Sequence, residues 1–148
     1  MSNDCSLHRL PRAGIDPIDS EFMALSMLSL MIDAPMRSET VVMLLDHEHR
    51  GISLLVVSRT VPFDSLFDVI DVVIQSQHPE LGAIVVATIR PPAPGVPDLD
   101  EHDVDRWLEA SEMVEDAGLE LLEWFVIGAS VNCPRDLVPE PPRWTARR

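Results

Sequence analysis

The run Ala83-Ile84-Val85-Val86-Ala87-Thr88-Ile89 constrains the fold more than any other stretch. It is short, uncharged and apolar at every position but Thr88. A half-exposed strand alternates polar and apolar residues, whereas a strand covered on both faces does not need to. β-branched residues favour strand over helix. The run is therefore expected to be a buried strand with protein layers above and below.

Its neighbours can supply those layers. Val41-Val42-Met43-Leu44-Leu45 reads as a second apolar strand, expected to be central. Asp46 to Gly51 is a polar turn, and Ile52 to Val57 is the return strand of a hairpin. A helix is expected from Glu21 to about Asp33, capped by Asp19 or Ser20 and limited by Pro35. Phe22, Met23, Leu25, Met27, Leu28, Leu30, Met31 and Ile32 cover more than one of its faces, as in a helix buried on several sides. It can pack under the sheet, the expected arrangement, or across a dimer interface.

A second helix is expected from Pro62-Phe63-Asp64 to His78-Pro79, with Leu66, Phe67, Ile70, Val73 and Ile74 on its inner face. The proline-rich loop Arg90 to Pro97 leaves the C-terminal end of the buried run, where open α/β sheets bind ligands. Asp98 or Asp100 then caps a third helix, with Val104, Trp107, Leu108, Ser111 and Val114 inward and Gly118 as its stop. Leu119 to Ile127 is the last strand. This order implies the α/β class: a three-layer α-β-α sandwich on a mixed sheet. Residues 1–17 are expected to be a flexible lead-in, 18–131 the domain, and 132–148 a proline-rich, extended tail.

Composition narrows the function classes. With 25 acidic and 11 basic residues the net charge is −14, which repels nucleic-acid phosphates and anionic membranes. The 148 residues suit one domain, and folding at that length buries roughly 70% of the unfolded chain's surface. Cys5 and Cys133 have neither CxxC nor zinc-finger spacing, so a reduced, cytoplasmic setting is expected. The polar first ten residues do not read as a signal peptide, and Phe22 to Ile32 is too short to span a bilayer. No GxSxG, P-loop or GxGxxG motif occurs.

The segment from Ser38 to Gly128 resembles the RadC-like branch of the JAB/MPN (JAMM) domain, which has a cytidine-deaminase-like architecture. The resemblance rests on Val42-Met43-Leu44-Leu45-Asp46 with its polar turn, on Gly82 to Thr88, on the loop with Gly95 and Pro97 followed by Asp103, and on Ala117 to Gly128. In that family two histidines of a His-x-His and a later aspartate hold zinc, and an upstream glutamate is the general base. Here the histidine positions are Arg90 and Pro92. Asp103 stands at the spacing of the ligand aspartate, and Glu39 lies within about a residue of the glutamate position. One carboxylate cannot supply the three protein ligands of a catalytic zinc. The resemblance therefore implies a vestigial pocket of Arg90, Pro92, Asp103 and Glu39, with no cofactor and no zinc hydrolysis.

Arg90 and Asp103 can form an ion pair in place of the metal, or each can face water. His47 and His49, in Asp46-His47-Glu48-His49, are an alternative metal pair because both would point one way on an extended strand. A solvated turn is the simpler reading of that sequence. Ser130 and Cys133 have no evident base, and His78 and His102 sit at helix ends. The leading expectation is a non-catalytic binding or scaffold domain whose partner is another protein or a second copy of itself. The competing expectation is an atypical metal-dependent hydrolase using His47 and His49.

Overall fold

The computed structural model describes residues 12–32, 34–58 and 65–145. The apolar run is β3, Leu81–Ile89, buried at every position in the middle of a five-stranded sheet. The other strands are β1 (Glu39–Asp46), β2 (Gly51–Ser58), β4 (Glu120–Ile127) and β5 (Val131–Asn132), in spatial order β2-β1-β3-β4-β5. Strand β1 is antiparallel to both β2 and β3. Strand β3 runs parallel to β4, and β4 is antiparallel to β5, so the sheet is mixed. Short turns permit the antiparallel pairs, whereas the parallel pair needs a crossover helix.

Three helices cover the sheet: α1 (Glu21–Leu28) on one face, α2 (Ser65–Gln75) and α3 (Asp103–Asp116) on the other. The strand alternation sorts the side chains between these layers. Val41, Met43, Leu45, Val85 and Ala87 join Ala24 and Leu28 of α1. Val42, Leu44, Ile84 and Val86 join Ile70, Val73, Trp107 and Val114 beneath α2 and α3. A bulge interrupts β4, where Ile84 pairs Leu121 but Val85 pairs Glu123. The extra residue puts Leu122 and then Phe125 on the α1 face, and Leu121 and Trp124 on the other. The three-layer α-β-α arrangement thus follows the sequence pattern.

Several local expectations change. Ser20 does cap α1, its Oγ accepting from the Met23 amide at 3.2 Å. The regular helix ends at Leu28 and tightens into a 3₁₀ turn over Ser29–Met31. Ser26 and Ser29 donate their hydroxyls to the carbonyls of Phe22 and Ser26, competing with the helical ladder. Only Ala24 and Leu28 are fully buried, while Phe22 and Leu30 are each 60% exposed. The helix packs through one side and not several.

The start expected for α2 at Pro62-Phe63-Asp64 lies outside the described residues. Helix α3 is rotated from the expected stripe. Asp103, Trp107, Ala110, Ser111 and Val114 face inward, and Leu108 is exposed. The Asp103 carboxylate has its partners inside, which carries Leu108 outward. Asp98 and Asp100 do not cap the helix, since His102 holds the N-cap position without a side-chain bond. At the other end Gly118 has φ +81°, its amide donates to Glu115, and the Leu119 amide donates to Val114. This reciprocal pair terminates α3 as the glycine implied.

The domain borders also move. Residues 1–11 lie outside the described residues, but 12–17 are tied to the hairpin by Gly14 N–H to Gly51 O at 3.0 Å, and the Pro17–Arg50 bridge follows. Residues 133–145, expected to run extended, fold back as 3₁₀ turns over Pro134–Leu137 and Arg143–Thr145. Arg135 and Trp144 are buried, and the Arg143 guanidinium lies 4.3 Å from the Trp107 ring centroid. Proline content suggested an extended tail, but these side chains find partners on the body. No helix among the described residues is long and apolar enough to cross a membrane.

Candidate functional site

Strand β3 stops where Pro91 and Pro92 remove two backbone donors. The Arg90 amide still donates to Ile127 O at 2.8 Å, extending the β3–β4 ladder by one residue. That bond fixes the backbone from which the Arg90 side chain leaves. Beyond it, Ala93 and Val96 bridge across a tight turn whose Gly95 has φ +75°. An open cleft of about 500 Å³ lies at this end of the sheet, lined by Thr88, Arg90, Pro92, Val96, Asp98 and Asp100 among others.

On one wall of the cleft Arg90 grips Asp103 with both ends of its guanidinium. Nη1 lies 2.7 Å from Oδ2 and Nη2 lies 3.0 Å from Oδ1. Arg106 Nη1 donates to Oδ1 at 2.9 Å, and the Asp100 amide donates to Oδ2 at 2.6 Å. A carboxylate has about four lone-pair sites, and four donors fill them here. Arg90 Nη1 also reaches the Asp98 carbonyl at 3.0 Å, and the guanidinium lies 5.9 Å from the Trp124 ring centroid. Trp124 is itself held by its Nε1–H bond to Thr88 Oγ1 at 2.9 Å.

Asp103 is fully buried. Burial alone would push its carboxyl up, but the hydrogen bonds from Arg90 and the Asp100 amide, with the Arg90 charge, hold it below the usual carboxylate range. An ionised carboxylate with all its lone pairs engaged has none left for a metal and no freedom to take a proton from water. Of the two arrangements open at Arg90 and Asp103, the structure has the ion pair.

Asp98 serves the same end of the sheet in another way. Its carboxylate accepts from the amides of Ala129 and Ser130 at 2.9 and 3.0 Å and from Asn132 Nδ2 at 3.1 Å. These backbone bonds hold its carboxyl below the usual range. A side chain at Gly128 would collide with that carboxylate. The cleft floor is therefore stitched to the β4–β5 turn.

The remaining expected residues do not gather with the pair. Pro92 is exposed on the loop and has no ligand atom. Glu39 is buried at the start of β1, opposite Ile89. It alternates in step with Val41, Met43 and Leu45, which face α1, while Arg90 and Asp103 lie on the α2–α3 face. A sheet therefore separates Glu39 from the ion pair.

His47 and His49 do not form a joint site either. They lie in a turn, not on a strand: the Asp46 carboxylate accepts from the amides of Glu48 and Arg50, and His49 has φ +66°. That geometry removes the common direction an extended strand would give. His47 is exposed, while His49 is buried with Nε2 3.1 Å from Glu120 Oε1. Gly82 exists to admit this turn, since a Cβ there would lie 2.6 Å from His47 Cα.

The sequence reading missed a buried group on the other face. Glu123 Oε1 accepts from Arg135 Nε at 2.9 Å, and Cys133 Sγ lies 3.5 Å from Glu21 Oε1. Among the described residues, Glu21, Glu123 and Cys133 are the one set of three potential ligands whose atoms lie within 4.8 Å of one another. Its chemistry is structural. Burial pushes Glu123 up despite the opposing Arg135, and burial, with Glu123 and Glu21 nearby, pushes the Cys133 thiol up. The thiol is neither a ready nucleophile nor a thiolate ligand. A glutamate inside the apolar run Leu121 to Ile127 was the available signal.

Compared with known families and with characterised proteins, the chain matches no family model and none of those proteins.

Proposed function

We propose that the chain is a non-catalytic α/β binding or scaffold domain of JAB/MPN-like descent, acting in the cytoplasm through protein–protein contacts. The observation that carries this reading is the saturation of Asp103 by Arg90, Arg106 and the Asp100 amide. A guanidinium in the metal position supplies fixed positive charge but cannot activate water as a Lewis acid does. The exposed apolar residues of α1 and β2 support protein contact, because apolar surface beside polar rims marks interaction sites. The cleft beside Arg90 remains available as a recognition groove, walled by proline and aliphatic side chains.

Metal analysis of untagged protein tests the reading. We expect no stoichiometric zinc and no metal-dependent change in thermal stability. One equivalent of zinc, lost together with Asp103→Asn, would overturn it.

A further inference from the structure

The two edges of the sheet are built differently. Strand β5 is two residues long and is followed by Pro134, which makes a short, blunted edge. The opposite edge, β2, runs for eight residues, Gly51–Ser58, with no proline and no ionisable side chain. None of the usual guards of an exposed edge is present in it.

Strand β2 is also apolar on both faces. Leu54 and Val56 pair Met43 and Val41, which face α1. Leu55 and Val57 pair Val42 and Thr40, on the α2–α3 face. Leu55, Val56 and Val57 remain 37–38% exposed. Such a pattern belongs to an interior strand, yet this strand has one neighbour.

We propose that β2 pairs with β2 of a second copy, antiparallel about a two-fold axis near Leu54 and Leu55, to join two sheets into one. An exposed strand edge accepts another strand, and three observations select a second copy as its source. First, charge: two chains of net charge −14 repel, so they can meet only where acidic groups are absent, as they are from Gly51 to Ser58. Second, residues 1–11 contain no valine, isoleucine, threonine or aromatic residue, and so make a poor covering strand. A second β2 supplies apolar residues for both faces.

Third, an antiparallel two-fold pair keeps α1 of both copies on one face and α2 and α3 on the other, so apolar layers stay continuous. A strand pair alone is smaller than the roughly 800 Å² per partner of a stable interface. The apolar edge does not end at the strand, however. Leu54 of β2 and Met27 of α1 line one groove of about 170 Å³, and residues 22–32 carry no ionisable group. This assignment names the surface and partner of the protein contact proposed above, and it does not depend on the loss of zinc chemistry.

The test is the solution mass of the full chain across the micromolar range. We expect a species of twice the 16.5 kDa chain mass that dissociates on dilution. Val56→Lys sets two like charges close together across the two-fold and should return the 16.5 kDa monomer with an unchanged far-ultraviolet spectrum. Hydrogen exchange on the unsubstituted protein gives a readout that needs no variant: β2 amides should lose protection on dilution while β3 amides keep theirs. A monomer at every concentration, or a dimer that a folded Val56→Lys leaves intact, overturns the proposal. Zinc content is measured separately, so failure here is distinct from failure of the non-catalytic reading.

Discussion

Arg90 and Asp103 face each other through two hydrogen bonds of 2.7 and 3.0 Å, one from each terminal nitrogen to a different carboxylate oxygen. Asp103 is fully buried, so the pair is a packed element of the fold and not surface decoration. Removing Arg90 leaves the carboxylate with Arg106 and one amide. Losing one partner of a buried pair costs about 3 kcal/mol. Arg90→Ala should lower the free energy of unfolding by that amount in a urea titration. Arg90→Lys should recover only part, because an ammonium cannot make the two-pronged contact. A loss in Arg90→Ala under about 1 kcal/mol would instead match an exposed pair.

The pH dependence has a definite sign. Asp103 is held below the ordinary 3.8 of an aspartate. Its contribution to stability is present above 3.8 and is lost as pH falls through the lower folded value. The stability advantage over Asp103→Asn should therefore shrink on acidification below the ordinary value. Glu123 has the opposite sign, being raised above 4.5 by burial. Its contribution is present below 4.5 and is lost as pH rises through the higher folded value. Unfolding curves at several pH values should thus diverge in opposite directions for Asp103→Asn and Glu123→Gln.

The fold-back of residues 133–145 should contribute to stability. Arg135 pairs the buried Glu123 and also donates to the Glu140 carbonyl at 3.0 Å. Arg135→Met keeps the apolar stem but strands the carboxylate, at a cost of about 3 kcal/mol. Thermal unfolding would read this as a clear fall in Tm. An unchanged Tm would show that Glu123 takes up a proton without penalty.

Cys133 should be silent in the native protein. It is buried, and its thiol is pushed up by that burial and by two carboxylates. Alkylation followed by peptide mass spectrometry should show Cys133 modified at least about tenfold more slowly in native than in unfolded protein. Equal rates would mean that the residues around it open readily.

The layered fold was legible because its signal is local. The continuous apolar runs of β1, β3 and β4 and the glycine stop at Gly118 each follow from a few adjacent residues. The rotation of α3 was not legible. It depends on a carboxylate meeting a guanidinium from a different element, a relation that helical periodicity does not contain. The turn at His47 and His49 depends on the Asp46 side chain bonding forward to two amides. The fold-back of residues 133–145 depends on Glu123, which looked like one acidic position in a strand. The pairing of Arg90 with Asp103 could be named as one of two arrangements, but the participation of Arg106 and Asp100 required the structure.

The buried Glu123–Arg135 pair also imposes an order on biosynthesis. Arg135 follows Glu123 by 12 residues, so the ribosome delivers the strand before the cation that matches it. At about 5–20 residues per second the interval is on the order of a second. During it the nascent sheet holds a carboxylate that resists burial, and closure of the α1 layer over β4 waits for the later residues. Arg135 thereby acts as a latch on the timing of folding, releasing the core to close only once the segment that seals it has been made.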